Sequence, residues 1–64
     1  MAWLAVDKDG TENKFTKKPQ RWYNGVVFLW TTKGKGVKIE LTKGSILKLI
    51  GKELTWNDKP IEIK

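Results

Sequence analysis

Ala2-Trp3-Leu4-Ala5-Val6 is apolar at every position. A strand covered on one side alternates, so this run predicts a short strand packed on both faces. Asp7-Lys8-Asp9-Gly10 follows as a turn, and Thr11 to Thr16 is expected to return as the second strand of a hairpin. On that strand Asn13 and Phe15 share one face, with Phe15 as the core anchor, while Glu12, Lys14 and Thr16 share the other. Lys17-Lys18-Pro19-Gln20-Arg21 interrupts the pattern, because Pro19 removes a ladder donor and drives Lys18 toward extended geometry. The segment reads as a basic connection.

Arg21 to Thr32 is a long aromatic and β-branched run. Trp22, Val26, Phe28 and Trp30 share one parity, and Tyr23, Val27, Leu29 and Thr31 share the other. Gly25 marks either a bulge or the end of a Tyr23-Asn24-Gly25 turn, and Val26 to Thr32 is the clearest strand. After the turn Lys33-Gly34-Lys35-Gly36, the run Val37-Lys38-Ile39-Glu40-Leu41 alternates strictly. It is expected to pair back onto Val26–Thr32 as a second hairpin, apolar residues inward and Lys38 and Glu40 outward. Ile46, Leu49 and Ile50 then switch to helical spacing, with Ser45 placed as N-cap and Gly51 as an αL stop. Lys52 to Trp56 is a connector or short strand, Asn57 to Pro60 a turn, and Ile61 to Lys64 a last alternating strand at a sheet edge. The expected fold is mostly β (α+β): a small curled antiparallel sheet or open barrel of two hairpins plus a C-terminal strand, with one short helix near 45–50.

Length changes this picture little: 64 residues hold one small domain, near the lower limit for a core that stands unaided. With 39% hydrophobic and 31% charged residues the chain is expected to fold, yet it has no Cys or His to staple it. Four Trp must therefore supply much of the buried area, or a second copy must cover some of it. The same two absences remove the commonest nucleophiles, proton shuttles and transition-metal ligands, so the chain reads as non-catalytic, with no cofactor or metal expected. The opening lacks a basic segment and reaches Asp7 within a few residues, which fits neither a signal peptide nor a membrane span. A soluble, cytoplasmic protein is expected.

Charge is the strongest clue to partners. The net charge is +6, and residues 1–38 carry eight Lys/Arg against three acids, whereas 39–64 carry five against four. Such a field attracts nucleic acid, acidic proteins or anionic lipid without choosing among them, although the one short helix is too poor in cations for membrane binding. Lys14, Lys17, Lys18 and Arg21 lead directly into Trp22-Tyr23. Cations that track phosphates beside aromatics that stack bases make a single-stranded nucleic-acid groove; a solvated loop guarding a sheet edge is the plainer alternative. Lys33-Gly34-Lys35-Gly36 superficially resembles a phosphate loop, but it lacks the spacing and strand-to-helix context of one and reads as a hairpin turn. Asp7-x-Asp9 likewise falls short of a calcium loop, since Gly10 comes too early and strands flank it. Trp30 and Phe28 belong to the core by parity, and Trp3 faces opposite Leu4. Trp22 and Trp56, in less regular segments, are the candidates for an exposed hot spot.

Two stretches carry a likeness: Trp3-Leu4-Ala5-Val6-Asp7-Lys8-Asp9-Gly10-Thr11-Glu12, and Leu41-Thr42-Lys43-Gly44-Ser45-Ile46 with Leu49-Ile50-Gly51 and Leu54-Thr55-Trp56 before Pro60. Over about half of its length the chain resembles small phage and mobile-element proteins of gut bacteria, with Thr42 in place of the Pro typical of that group. The resemblance implies a phage or prophage accessory protein acting in a bacterial cytoplasm, and it brings no site residue with it.

Two functions follow as expectations. The first is a protein-interaction module that binds a host or phage protein through a basic, Trp-containing surface. The second is a nucleic-acid-binding module with lysines on phosphates and Trp22 or Tyr23 stacking. Both draw on one candidate surface: Lys14, Lys17, Lys18, Arg21, Trp22, Lys33, Lys35 and Trp56.

Overall fold

The computed structural model describes residues 2–23, 25, 28–32 and 34–63. Along the chain these form β1 (Ala2–Val6), β2 (Glu12–Phe15), β3 (Gln20–Tyr23), β4 (Phe28–Thr31), β5 (Lys38–Glu40), α1 (Ser45–Ile50) and β6 (Ile61–Ile63). The fold is mostly β, as the pattern predicts, with two antiparallel sheets and no closed barrel among the described residues. One sheet has the strand order β5-β2-β1-β6 and the other is the pair β3-β4.

The all-apolar run becomes β1, an inner strand with both faces covered. Its odd and even positions feed two different cores. Leu4 and Val6 meet Ile46 and Leu54 on one face, flanked by Leu41, Ile50, Ile61 and Ile63. Ala5 meets Phe15 and Trp30 on the other, with Trp3 and Trp56 packed against them. The four-stranded sheet is thus a middle layer between α1 and the β3–β4 hairpin. The expected first hairpin is present, with Trp3 opposite Phe15 and Val6 opposite Glu12. Its turn is closed by the Gly10 N–H to the Asp7 carbonyl at 2.9 Å and the Asp7 N–H to the Thr11 carbonyl at 2.9 Å. Asn13 and Phe15 share the hairpin-side face as expected, both fully buried. The last strand takes the edge beside β1, with Ala2 opposite Ile63.

The second expected hairpin is overturned. β4 pairs with β3, through Arg21 opposite Trp30 and Tyr23 opposite Phe28, so Tyr23 is a strand residue, and Asn24 of the expected Tyr23-Asn24-Gly25 turn lies outside the described residues. β5 pairs instead with β2, Phe15 opposite Lys38 and Asn13 opposite Glu40. Val26 and Val27, in the expected strand, lie outside the described residues. Period-2 alternation specifies a strand and its two faces but not its neighbour, and here the chain crosses from one layer to the other between β4 and β5. The expected inward and outward faces of the run Val37–Leu41 hold only at Leu41, half-buried against the core, and at exposed Glu40. Lys38 turns into the joint between the layers, whereas Val37 and Ile39 are 51% and 47% exposed. Phe28, expected in the core, is exposed near the tip of its hairpin.

Helix α1 has six residues, too few to persist alone, and both of its ends are fastened. Ser45 is not its cap: the Ser45 hydroxyl donates to the Thr42 carbonyl at 2.7 Å. The cap comes from β2, where the Glu12 carboxylate accepts the Gly44 N–H at 2.6 Å and the Ile46 N–H at 2.8 Å. At the other end Gly51 adopts the expected left-handed conformation, φ 77°, and its N–H bonds the Leu47 carbonyl at 2.9 Å. Only Ile46 of the helix is buried, and Leu47 and Leu49 are exposed.

Candidate interaction surface

The layers are joined at Asp7, the residue after β1. Its carboxylate is almost fully buried and accepts the Trp30 backbone N–H at 2.9 Å and the Lys38 ammonium at 3.1 Å. Lys38 also donates to the Trp30 carbonyl at 3.2 Å, and the Trp30 indole N–H donates to the Val6 carbonyl at 2.9 Å. The Trp30 backbone amide and carbonyl are thus held by side chains of the neighbouring sheet. This placement fixes how the β3–β4 hairpin lies on the molecule.

Around that joint, cations cover aromatic rings. Arg21 lies 5.0 Å from the Trp30 ring and 4.8 Å from the Trp56 ring, and its guanidinium donates to the Trp56 carbonyl. Lys18 lies 5.6 Å from Trp3, Lys8 4.2 Å from Phe28, and Lys38 5.9 Å from Phe15. Rings that the small core cannot bury completely are capped by flexible cations, an arrangement that retains contact with water and gains about 0.5–2 kcal/mol per contact. Trp56 further packs edge-on against Phe28 and tilted against Trp30.

The candidate residues consequently separate. Lys14 points to the α1 side of the sheet, since it pairs between Leu4 and Ile39. Lys17 and Lys18 are exposed in the connection before β3, with Lys18 leaning on Trp3. Arg21 and Trp56 meet on the inner side of the hairpin. Trp22 pairs with Leu29 and alternates to the opposite, outward side, where it is 47% exposed. Lys35 sits in an exposed turn, and Lys33 lies outside the described residues. Trp22, Lys17 and Lys18 therefore belong to one strand and its lead-in, while Lys14 and Trp56 lie elsewhere. Sequence reasoning missed Lys8 and Lys38 as ring-capping cations. Tyr23, one of its two candidate stacking residues, is exposed and stacks on Phe28 at 4.2 Å. The basic-aromatic composition signalled the chemistry, but only the pairing of β3 with β4 shows which ring each cation covers.

The two glycine-bearing and acidic motifs have structural occupations. At Gly36 a Cβ would fall 2.2 Å from the Thr32 hydroxyl oxygen, so glycine is needed there for close approach rather than for phosphate. Gly36→Ala is expected to destabilise the fold by about 1–3 kcal/mol through overpacking, and adding Thr32→Gly should recover most of the loss. Urea melts of the two single variants and the double variant check this, and equal losses in Gly36→Ala with and without Thr32→Gly would contradict it. Asp9 accepts the Thr11 backbone N–H at 2.9 Å, and this bond, then one from the Thr11 side chain, holds its carboxyl below the ordinary aspartate value. Among the described residues no three acidic side chains converge as a metal site requires.

A cleft of about 660 Å³ opens between α1 and residues 53–57. Val6, Ile46 and Leu54 form its apolar floor and Lys8, Lys43 and Glu53 its charged rim. The Glu12 carboxylate in its wall is occupied by α1. No helix of the described residues is long and apolar enough to cross a membrane. In comparisons with known proteins, no family model, no curated protein and no solved structure matches this chain.

Proposed function

We propose that this chain is a non-catalytic protein-interaction module whose contact face is the outward side of the β3–β4 hairpin. The observation that carries the reading is Trp22: a large indole, half exposed on a strand whose other side is anchored by Arg21 and Trp30. An aromatic held on a rigid hairpin loses little conformational entropy on binding, which is why Trp and Tyr dominate interface hot spots. Leu29 lies beside it, and Lys17 and Lys18 lie at the entry to β3. The partner suited to this face offers an apolar pocket for the indole within an acidic rim, toward which the net charge of +6 steers the encounter. The resemblance to phage accessory proteins makes a bacterial host or phage protein in the cytoplasm the expected source of that partner.

A nucleic-acid groove has less support from the same geometry. It needs several free cations along one track, whereas Arg21 is committed to two indoles and Lys14 lies on the other side of the sheet. The experiment places a photo-reactive phenylalanine analogue at position 22 or, as an exposed control, at position 49, and irradiates each in bacterial lysate. A single acidic protein captured at 22 and not at 49 is expected. Trp22→Ala should then weaken its affinity roughly 30-fold or more, the effect of losing a hot spot worth about 2 kcal/mol. Oligonucleotide binding at physiological salt that falls steeply as salt rises would replace this reading with the nucleic-acid one.

A further inference from the structure

We propose that the partner attaches by adding a strand to β3: an extended, acidic peptide segment bonds the outward backbone groups of Arg21 and Tyr23. Resting on the interaction-module reading above, this names the partner's chemistry and its mode of attachment. Arg21 stands opposite Trp30, yet the Trp30 N–H donates to the Asp7 carboxylate at 2.9 Å and the Trp30 carbonyl accepts the Lys38 ammonium at 3.2 Å. Arg21 and Trp30 are therefore a non-hydrogen-bonded pair, whose members turn their backbone groups away from each other. Tyr23, two residues on and opposite Phe28, has the same phase. Both residues thus direct N–H and C=O toward the side of β3 remote from β4.

The two edges of the hairpin differ. On β4 the side chains of Asp7 and Lys38 occupy the Trp30 groups that a further strand would bond. On β3 all four residues are exposed, and among the described residues no backbone hydrogen bond meets the outward groups of Arg21 or Tyr23. A row of outward N–H and C=O groups at strand spacing is a template for another strand. Pro19, buried and without an N–H, sets where that template begins. Charge selects what adds there. Between Glu12 and Glu40 the chain carries seven Lys/Arg and no acid, and this stretch contains the whole hairpin and its approaches. Lys17 and Lys18 are exposed immediately before Pro19. Arg21 is exposed too, and its guanidinium has more donors than the one it gives the Trp56 carbonyl, so a carboxylate across the ladder finds a charged partner. Opposite charges across a ladder stabilise it and like charges destabilise it, which disfavours a basic segment, the β3 of a second copy included. Side chains alternate along the added strand, so the residues flanking that acid fall beside Trp22 on the outward face.

The probe is a library of short capped peptides with Glu at every other position and all residues at the rest, panned on the immobilised chain. In the complex with a bound peptide the Arg21 and Tyr23 amides are expected to exchange about tenfold more slowly or less, beyond any change at Gln20 and Trp22, whose phase already directs them to β4. N-methylation of alternate peptide residues should weaken binding about tenfold or more for one set and leave the other set near the parent, because only every second residue faces β3. Replacing each Glu by Gln should weaken it by about the same factor and flatten its salt dependence. Tolerance of N-methylation in both sets, or Arg21 and Tyr23 amides left unprotected in the complex, would overturn strand addition while a protein captured at position 22 keeps the interaction face. Failure of every peptide to bind overturns it as well, and only if nothing is captured at position 22 does the interaction-module reading fall with it. Protection of the two amides that grows with the concentration of the chain alone would put a second copy on this edge in place of the acidic partner.

Discussion

Asp7→Ala is expected to lower stability by about 3 kcal/mol. The substitution leaves the buried Trp30 N–H without an acceptor and strands the Lys38 ammonium beside the Trp30 carbonyl. An unpaired buried donor costs about 1–3 kcal/mol, and loss of a partly buried charged partner adds to it. For a chain of this length total stability is on the order of 3–10 kcal/mol, so the loss is a large share of the whole. The melting temperature should fall by roughly 12–24 °C. Asp7→Asn retains an acceptor for the Trp30 amide and should lose clearly less. Thermal and urea unfolding followed by tryptophan fluorescence decides the matter. A loss below about 1 kcal/mol for Asp7→Ala would mean that Trp30 and Trp56 hold the hairpin by packing alone.

The second large effect is expected at Glu12. Its two carboxylate oxygens accept the Gly44 and Ile46 amides, and α1 has no cap of its own. Hydrogen bonds to a charged acceptor contribute about 1.5–3 kcal/mol, and a helix of six residues has no reserve with which to replace them. Glu12→Gln should cost about 2 kcal/mol despite its matched shape, because the amide turns a donor toward one of two backbone donors. The damage should be local as well as global. The Glu12 backbone carbonyl still accepts from Leu41, so β2 retains β5 while α1 loosens. Hydrogen exchange is the discriminating readout: the amides of Lys48 and Gly51 should lose protection well before those of Leu4 and Ala5. Uniform loss across helix and sheet would show that α1 and the sheet open as one unit.

Much of the local structure was legible in the chain. The unbroken apolar run at 2–6 announced a strand with two covered faces, Phe15 announced its anchor, and the spacing of Ile46, Leu49 and Ile50 before Gly51 announced a short helix. In each case the signal lies in adjacent positions, where side-chain period and backbone preference act directly. The candidate surface was half legible. Basic residues beside tryptophan were visible, and Trp22 is indeed exposed, yet Arg21, one position away, lies on the opposite side of the hairpin over two indoles. Neighbours on a strand point to opposite faces, so a cluster in sequence is not a cluster in space.

The sequence by itself determined most of the elements, the turn of the first hairpin and the two covered faces of β1, because these follow from periodicity and from glycine and proline at fixed places. The tertiary structure alone decided which strands pair, which charge is inward and what caps the helix. β5 alternates as an edge strand should, but its partner is the distant β2, and Lys38 faces inward because Asp7 and the Trp30 carbonyl lie there. Glu12 caps a helix more than thirty residues away, in place of the adjacent Ser45. Each of these depends on groups brought together only when the layers close, where the cost of an unpaired buried polar group outweighs any local preference.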